Sequence, residues 1–293
     1  MTLAVATAVL ARRAGRGALS WSSRWWRRAL VARSVEASEL LADRRLLVLA
    51  PHPDDETLGC GATVARVRAA GGSVTVVVAT DGRRSSASTV LGPQQLAELR
   101  AAELRAACQL LGVPAEDVLQ LGYPDGTLAG CRPRLAARLA DVLAERRPDI
   151  VLVPCAQDDH PDHQALHEAA VRAVRGRPDP CLVLGYPVWT WLHGPWFISV
   201  PARRRLPLVA WSLRQAAAGR WLRVPSGVHL HAKRAALAAH ASQTTDLTGE
   251  PSWSYLRPED CAAFLQPAEL FLAVPLRSNR DSHSRLRRSR RTR

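Results

Sequence analysis

Four short stretches concentrate the side chains that can bind a metal or move protons: PHPDDE at 51–56, TDG at 80–82, YPDG at 123–126 and DDHPDH at 158–163. The first packs His52, Asp54, Asp55 and Glu56 together, and the last packs Asp158, Asp159, His160, Asp162 and His163. Imidazole nitrogen and carboxylate oxygen are the donors of a catalytic zinc, which takes three protein groups and leaves a position for water. His52 with Asp55, and His163 from the distant stretch, make one such set, although spacing alone leaves Asp54 and Asp55 interchangeable. A single acid at a helix start is normally a cap, and Asp159 or Glu56 taken alone reads that way. Two separate stretches, each holding His and Asp, are not explained by capping.

The elements around these stretches set where they lie. Arg45–Ala50 is a short apolar run ending at Pro51, and Ser73–Ala79 is rich in β-branched residues; both predict buried strands. Val118–Leu121, Ile150–Pro154, Cys181–Leu184 and Leu270–Val274 predict further strands. Helices are predicted over Thr57–Ala70, Pro93–Leu111, Arg134–Arg146, Pro161–Val174 and His229–Ala241, several of them closed by glycine. Alternating strand and helix imply right-handed crossovers and an α/β, Rossmann-like, mainly parallel sheet with helices on both faces. One domain over 36–276 fits this order. Residues 186–226, rich in Trp, Pro and Arg, read as irregular, with one helix near Val209–Arg220. In such a sheet ligands bind at the carboxyl ends of the strands, and all four chemical stretches fall there.

The charge is unevenly placed. Forty basic residues oppose twenty-six acidic ones, for a formal net charge of +14, and Lys233 is the one lysine. Residues 1–35 contain seven arginines and no acid; residues 277–293 contain eight arginines and one acid, Asp281. What remains between Glu36 and Leu276 is balanced, which argues against a nucleic-acid-binding body and leaves anionic contacts to two basic ends. The ends therefore define a Trp/Arg-rich leader over 1–35 and an Arg-rich, disordered tail over 277–293. Trp21, Trp25 and Trp26 among Arg24, Arg27 and Arg28 suit a membrane interface. The apolar run at 2–11 lacks the preceding positive charge of a secretory signal, and no apolar stretch reaches the ~20 residues of a membrane span. These features predict a cytoplasmic protein with peripheral contact at the inner membrane surface. The six cysteines form no CxxC pair and read as buried thiols in a reducing compartment. A dinucleotide fold fails on spacing, because the third glycine of GxGxxG after Gly59 and Gly61 would fall at Val64. A non-catalytic polyanion binder acting through the arginine-rich ends is the rival reading.

PHPDDETLGCG at 51–61 together with HPDH at 160–163 resembles the LmbE-like (PIG-L) zinc-dependent de-N-acetylases. The resemblance runs on through RAAELRAACQLLGV at 100–113, LGYPDG at 121–126 and KRAALAAHASQ at 233–243, so that it covers residues 45–276. It implies an amide hydrolase that removes an N-acyl group, acetyl, from a small-molecule or lipid-linked amino sugar such as an N-acetylglucosaminyl conjugate. Carried over residue by residue, it makes His52, Asp55 and His163 the zinc ligands and Asp54 the general base. His160 becomes the group that stabilises the intermediate or protonates the leaving amine, as a cation paired with Asp162. Iron(II) suits the same donors. Asp125 falls at a substrate position, with a turn aspartate as the competing reading; Asp81 carries the same ambiguity. Arg100 reads as a substrate contact or as half of an ion pair with Glu103, one turn away. His240 in the last block reads as helix packing by default. The aromatic cluster YPVWTWLHGPW at 186–196 reads equally as a sugar-stacking surface or a packing cluster.

Overall fold

The computed structural model describes residues 26–193, Arg214 and residues 220–276. The basic tail, the leader before Trp26 and the helix expected near 209–220, Arg214 and Arg220 apart, lie outside the described residues. Eight strands form one sheet in the order β1-β7-β8-β6-β5-β2-β3-β4. They are β1 (Val35–Glu36), β2 (Arg45–Ala50), β3 (Ser73–Thr80), β4 (Val118–Tyr123), β5 (Ile150–Pro154), β6 (Leu182–Tyr186), β7 (Trp221–Pro225) and β8 (Ala268–Ala273). Neighbours are parallel except where β8 runs antiparallel to β6 and β7. The sheet is therefore mainly parallel, as the alternation of elements requires.

Pleating explains the layers. Leu46, Val48 and Ala50 of β2 join one hydrophobic core, while Leu47 and Leu49 join the other, on the opposite face. The first face is covered by α1 (Asp55–Ala69), α2 (Pro93–Leu110) and, later in the chain, α5 (Leu230–Ala239). The second is covered by α3 (Leu128–Arg146) and α4 (Pro161–Arg175), which pack on each other. Both cores are continuous, so the described chain folds as one unit. That unit starts before residue 36: residues 26–33 are helical, Trp26 and Leu30 are 3% and 1% exposed, and Arg27 lies 4.3 Å over the Trp191 ring. Trp26, grouped by sequence with an interfacial cluster, is thus core.

Three local differences from the sequence reading have physical causes. α3 begins at Leu128 and runs through Pro133, where a break is expected. The carbonyl of Ala129, which loses its partner at Pro133, accepts instead from Arg132 Nη1 at 2.6 Å. β7 lies inside the segment read as irregular; it is recruited by pairing with β8 from Trp221 to Pro225. Helix α6 (Pro258–Phe264) was also not anticipated.

α1 is broken at Cys60, whose φ of −147° interrupts the helix. The break orphans backbone groups, and two distant side chains take them up. Glu269 of β8 accepts from the amides of Ala62 and Thr63 at 3.0 and 2.7 Å, and Lys233 of α5 donates to the Leu58 carbonyl at 2.8 Å. Lys233 and Glu269 pair with each other at 2.6 Å. No described helix is long and apolar enough to cross a membrane.

Candidate functional site

Strand order decides which loops meet. β2 lies between β3 and β5, so the chain winds outward through β3 and β4 and returns to the far side of β2. Direction reverses between β2 and β5, which pair from Leu46 with Ile150 to Val48 with Leu152. Parallel sheets open a crevice at that reversal, beyond the carboxyl ends of the strands. The loop after β2 carries His52 and Asp54 into α1; the loop after β5 carries Asp158 and His160 into α4.

There the three residues expected to bind metal converge. Asp55 Oδ2 lies 3.1 Å from His52 Nδ1 and 3.3 Å from His163 Nε2. Donors held ~2.0–2.2 Å from a tetrahedral ion are ~3.3 Å apart, which these two separations match. His163 Nε2 is buried, and apart from Asp55 Oδ2 it has no partner among the described residues. Its other nitrogen, Nδ1, is 3.0 Å from Asp158 Oδ2, which fixes the tautomer with the lone pair on Nε2. His52 is oriented in the same manner. Its Nε2 faces Asp125 Oδ1 at 3.3 Å and Asp162 Oδ2 at 3.4 Å, leaving Nδ1 toward Asp55. Among the described residues, the groupings whose donor atoms all lie within 4.8 Å of one another are His52 with His160 and His163, and His52 with Asp125 and Asp162, so the expected set of His52, Asp55 and His163 is not one of them. Asp125 accepts the Arg84 amide and Asp162 those of Gly126 and Leu128, just as Asp55 Oδ2 accepts the His52 amide at 3.1 Å.

Electrostatics favour positive charge here. His163 is held up at about 9: burial opposes its protonation, but Asp55 and Asp158 outweigh burial. His52 is also raised, as Asp125, Asp162 and Asp55 overcome burial. Asp55 is pulled well below the carboxylate range by His163 and His52, against its own burial. A cleft that stabilises two imidazolium ions can stabilise a divalent cation in their place.

Asp54 stands beside this set with its carboxylate free on one side. Oδ2 is 3.2 Å from the Arg100 guanidinium, and Oδ1 has no partner among the described residues. Burial raises Asp54 to about 6, with Arg100 pulling the other way and Asp55 adding to the rise. Its φ of 142° is positive, a conformation that costs a non-glycine residue ~1–3 kcal/mol and concentrates at functional sites.

Other expectations need correction. His160 and Asp162 do not pair through their side chains. Instead the Asp162 amide donates to His160 Nδ1 at 3.2 Å, while the Asp162 carboxylate turns toward His52. His160 is lowered to about 4, first by burial and then by the charges of His52 and His163, which works against the expected cationic form. Arg100 is 2% exposed and binds Pro53 and Gly82 carbonyls besides Asp54, so no face of it is open to a substrate. Nor does it pair with Glu103, whose carboxylate accepts the amide and hydroxyl of Ser242 at 2.7 and 2.6 Å. Asp81 accepts the Arg83 amide and guanidinium, as a turn aspartate does. Asp125 is 7% exposed and bonded to His52, lowered by that partner against its burial.

Some functional positions were not singled out by sequence. Asp158, five residues before His163, was visible in its loop but had no assigned task. Trp189 stacks on His160 with ring centroids 6.3 Å apart and 17° between planes, whereas its neighbours Tyr186 and Trp191 are core. Of the described rings of the aromatic cluster, two are packing and one lies at the site; Trp196 lies outside the described residues.

The family model described as PIG-L, GlcNAc-PI de-N-acetylase, matches residues 47–174, which includes both loops. A 1D-myo-inositol 2-acetamido-2-deoxy-alpha-D-glucopyranoside deacetylase of Salinispora arenicola is 32% identical over 73% of this chain and 80% of its own length. The chain belongs to the PIG-L family. A deacetylase of the same name from Kineococcus radiotolerans is 36% identical over 49% of this PIG-L chain, and the chain spans 50% of that enzyme. In fold it is similar to the N,N'-diacetylchitobiose deacetylase of Pyrococcus horikoshii, with a TM-score of 0.59 at 21% identity, covering 80% and 84% of the two chains. His52, Asp54, Asp55, His160, Asp162 and His163, all within the span matched by the PIG-L model, lie at the one crevice.

Proposed function

We propose that this chain is a metal-dependent amide hydrolase that removes an N-acyl group, acetyl, from the amino group of an amino-sugar derivative. The observation that carries the reading is the convergence of His52 Nδ1 and His163 Nε2 on one Asp55 oxygen, with Nε2 of His163 otherwise unpartnered. His52, Asp55 and His163 would hold the ion, zinc, with iron(II) compatible with the same donors. When bound, zinc supplies Lewis acidity that makes a water more acidic and an acyl carbonyl more electrophilic. Asp54 takes the proton of the attacking water on Oδ1, because Arg100 occupies Oδ2. His160 acts as a neutral donor. Its Nδ1 accepts from the Asp162 backbone, so the proton resides on Nε2 and can be shared with the developing oxyanion or passed to the leaving amine. Asp158, Asp125 and Asp162 orient the imidazoles.

Similarity to deacetylases of an inositol-linked N-acetylglucosamine makes a soluble glucosaminide of that kind the first substrate to test. Asp125 and Asp81 are structural partners of the cleft, and they act on substrate only through His52 and the 81–84 turn. Trp189 supplies an aromatic wall beside His160, where a sugar ring can pack. The basic ends remain candidates for peripheral attachment at an anionic membrane surface, tested by flotation of full-length and truncated chains.

The decisive assay is release of free amine from a panel of N-acyl glucosamine derivatives, inositol-linked compounds included. Zinc-loaded protein should release amine, and chelator-treated protein should not until zinc is restored. Asp54→Asn should keep the metal and lose most activity, while His163→Ala should lose the metal itself. Equal rates with and without metal, or a fully active Asp54→Asn enzyme, would refute the mechanism.

A further inference from the structure

Asp54 is held at almost every atom that can be held. Its carbonyl accepts from the amides of Thr57 and Leu58 at 3.0 and 2.8 Å, and Arg100 takes Oδ2. Its own amide donates to Glu56 Oε2 at 3.0 Å. This last bond spans the residue of positive φ. An amide aimed into a protein interior must find an acceptor, and Glu56 is the acceptor that this unusual turn creates.

Glu56 is itself fully buried, at 0% exposure, and a carboxylate cannot remain there unpartnered. Its second oxygen, Oε1, accepts from the Thr57 hydroxyl at 2.6 Å and lies 3.0 Å from His240 Nε2. His240 is also 0% exposed and sits between α5 and the short helix Ala241–Thr244, 184 residues along the chain. An ordinary helix-start glutamate is solvated and needs no such partner. By hydrogen bonds the imidazole meets Glu56 and, at 3.4 Å, the Thr57 hydroxyl, and Glu56 in turn meets Asp54; the imidazole also acts on Asp54 through its charge. Arg100, the other group near Asp54, approaches from α2 and does not contact Glu56 through any described hydrogen bond.

We propose that Glu56 and His240 form a positioning pair for Asp54. His240 fixes the Glu56 carboxylate, and Glu56 holds the Asp54 amide, which keeps the turn in the conformation that presents Oδ1 to the crevice. The proposal rests on the reading of Asp54 as the base. It adds two residues that touch no substrate, and it explains why a histidine lies buried in the last sequence block, far from the loops that do chemistry.

The test is a mutant cycle on zinc-loaded full-length protein with an N-acetylglucosamine derivative. Glu56→Leu and His240→Leu should each lower kcat ~10–100-fold, the scale of misplacing a catalytic group by about an ångström, with KM within ~3-fold and zinc content unchanged. Glu56→Gln, which retains one acceptor oxygen, should recover part of the loss. In an Asp54→Asn background, Glu56→Leu should change the residual rate less than ~2-fold, because its route of action is already gone. A full multiplicative loss in that background, or a loss that follows zinc release, would overturn the proposal. Should Glu56→Leu not fold, the His240→Leu and Glu56→Gln arms carry the same comparison. If wild-type protein releases no amine from any substrate, the functional reading fails. Positioning is then decided by the crystal structure of a folded variant: Asp54 relaxing out of positive φ supports it, and Asp54 unchanged overturns it.

Discussion

Replacing Lys233 with methionine removes the cation that faces a buried carboxylate, and the cost can be worked out atom by atom. Lys233 and Glu269 have side chains 1% and 3% exposed and pair at 2.6 Å. Breaking a buried pair by removing one partner costs ~3–5 kcal/mol, because the other charge remains in the interior. Lys233→Met also orphans the Leu58 carbonyl, and Glu269→Gln weakens the acceptor shared by the Ala62 and Thr63 amides. An orphaned buried group adds ~1–3 kcal/mol. Lys233→Met should therefore lose ~4–8 kcal/mol and Glu269→Gln, which keeps an acceptor, ~3–5 kcal/mol, a large part of the ~5–15 kcal/mol that holds a domain. The double variant Lys233→Met/Glu269→Gln buries no net charge and should be less destabilised than the sum of the singles by ~2 kcal/mol or more. Urea unfolding of the four proteins, followed by circular dichroism, measures all of this. Single variants within ~1 kcal/mol of wild type would refute the idea that this pair secures the broken helix α1, on which Asp55 sits.

Three other outcomes follow from particular contacts. Asp158→Ala frees His163 Nδ1 and should weaken zinc binding ~10–100-fold in a chelator competition, with the wild-type affinity as reference. Gly59→Ala places a methyl inside the Tyr186 ring, whose hydroxyl is tied to Leu49; overpacking should cost ~1–3 kcal/mol and lower the Tm, with Tyr186→Leu relieving part of it. Glu250 accepts from Ser88 and Thr89 and is lowered to about 2 by those hydrogen bonds. Because its folded pKa lies below the ordinary 4.5, its anchoring of the 83–92 loop is complete above that pH and fades as pH falls toward 2. Protection of the Thr89 amide against hydrogen exchange, taken relative to its intrinsic rate at each pH, should fall over that window, and Glu250→Gln should lower it at neutral pH; protection unchanged in both would exclude this anchor.

Much of the molecule was legible in advance because its signals are local. The strand β2 has the predicted bounds Arg45–Ala50, and β5 has the predicted Ile150–Pro154, since a dense apolar run closed by proline leaves little choice. Readings failed where a particular contact, near or far along the chain, overrides the local rule. Arg132 lets α3 pass Pro133, β8 recruits Trp221–Pro225 into the sheet, and Asp54 draws Arg100 away from Glu103.

The sequence by itself determined the donor types, their clustering at strand ends and the alternation that makes a parallel sheet. Those follow from side-chain chemistry and from periodicities only a few residues long. Tertiary structure alone decided that β5 lies beside β2, that the Asp162 amide donates to His160 Nδ1, and that His240 reaches Glu56. Each of those depends on burial and on distances between groups far apart in the chain, where the energy of a charge or a hydrogen bond is set by what surrounds it.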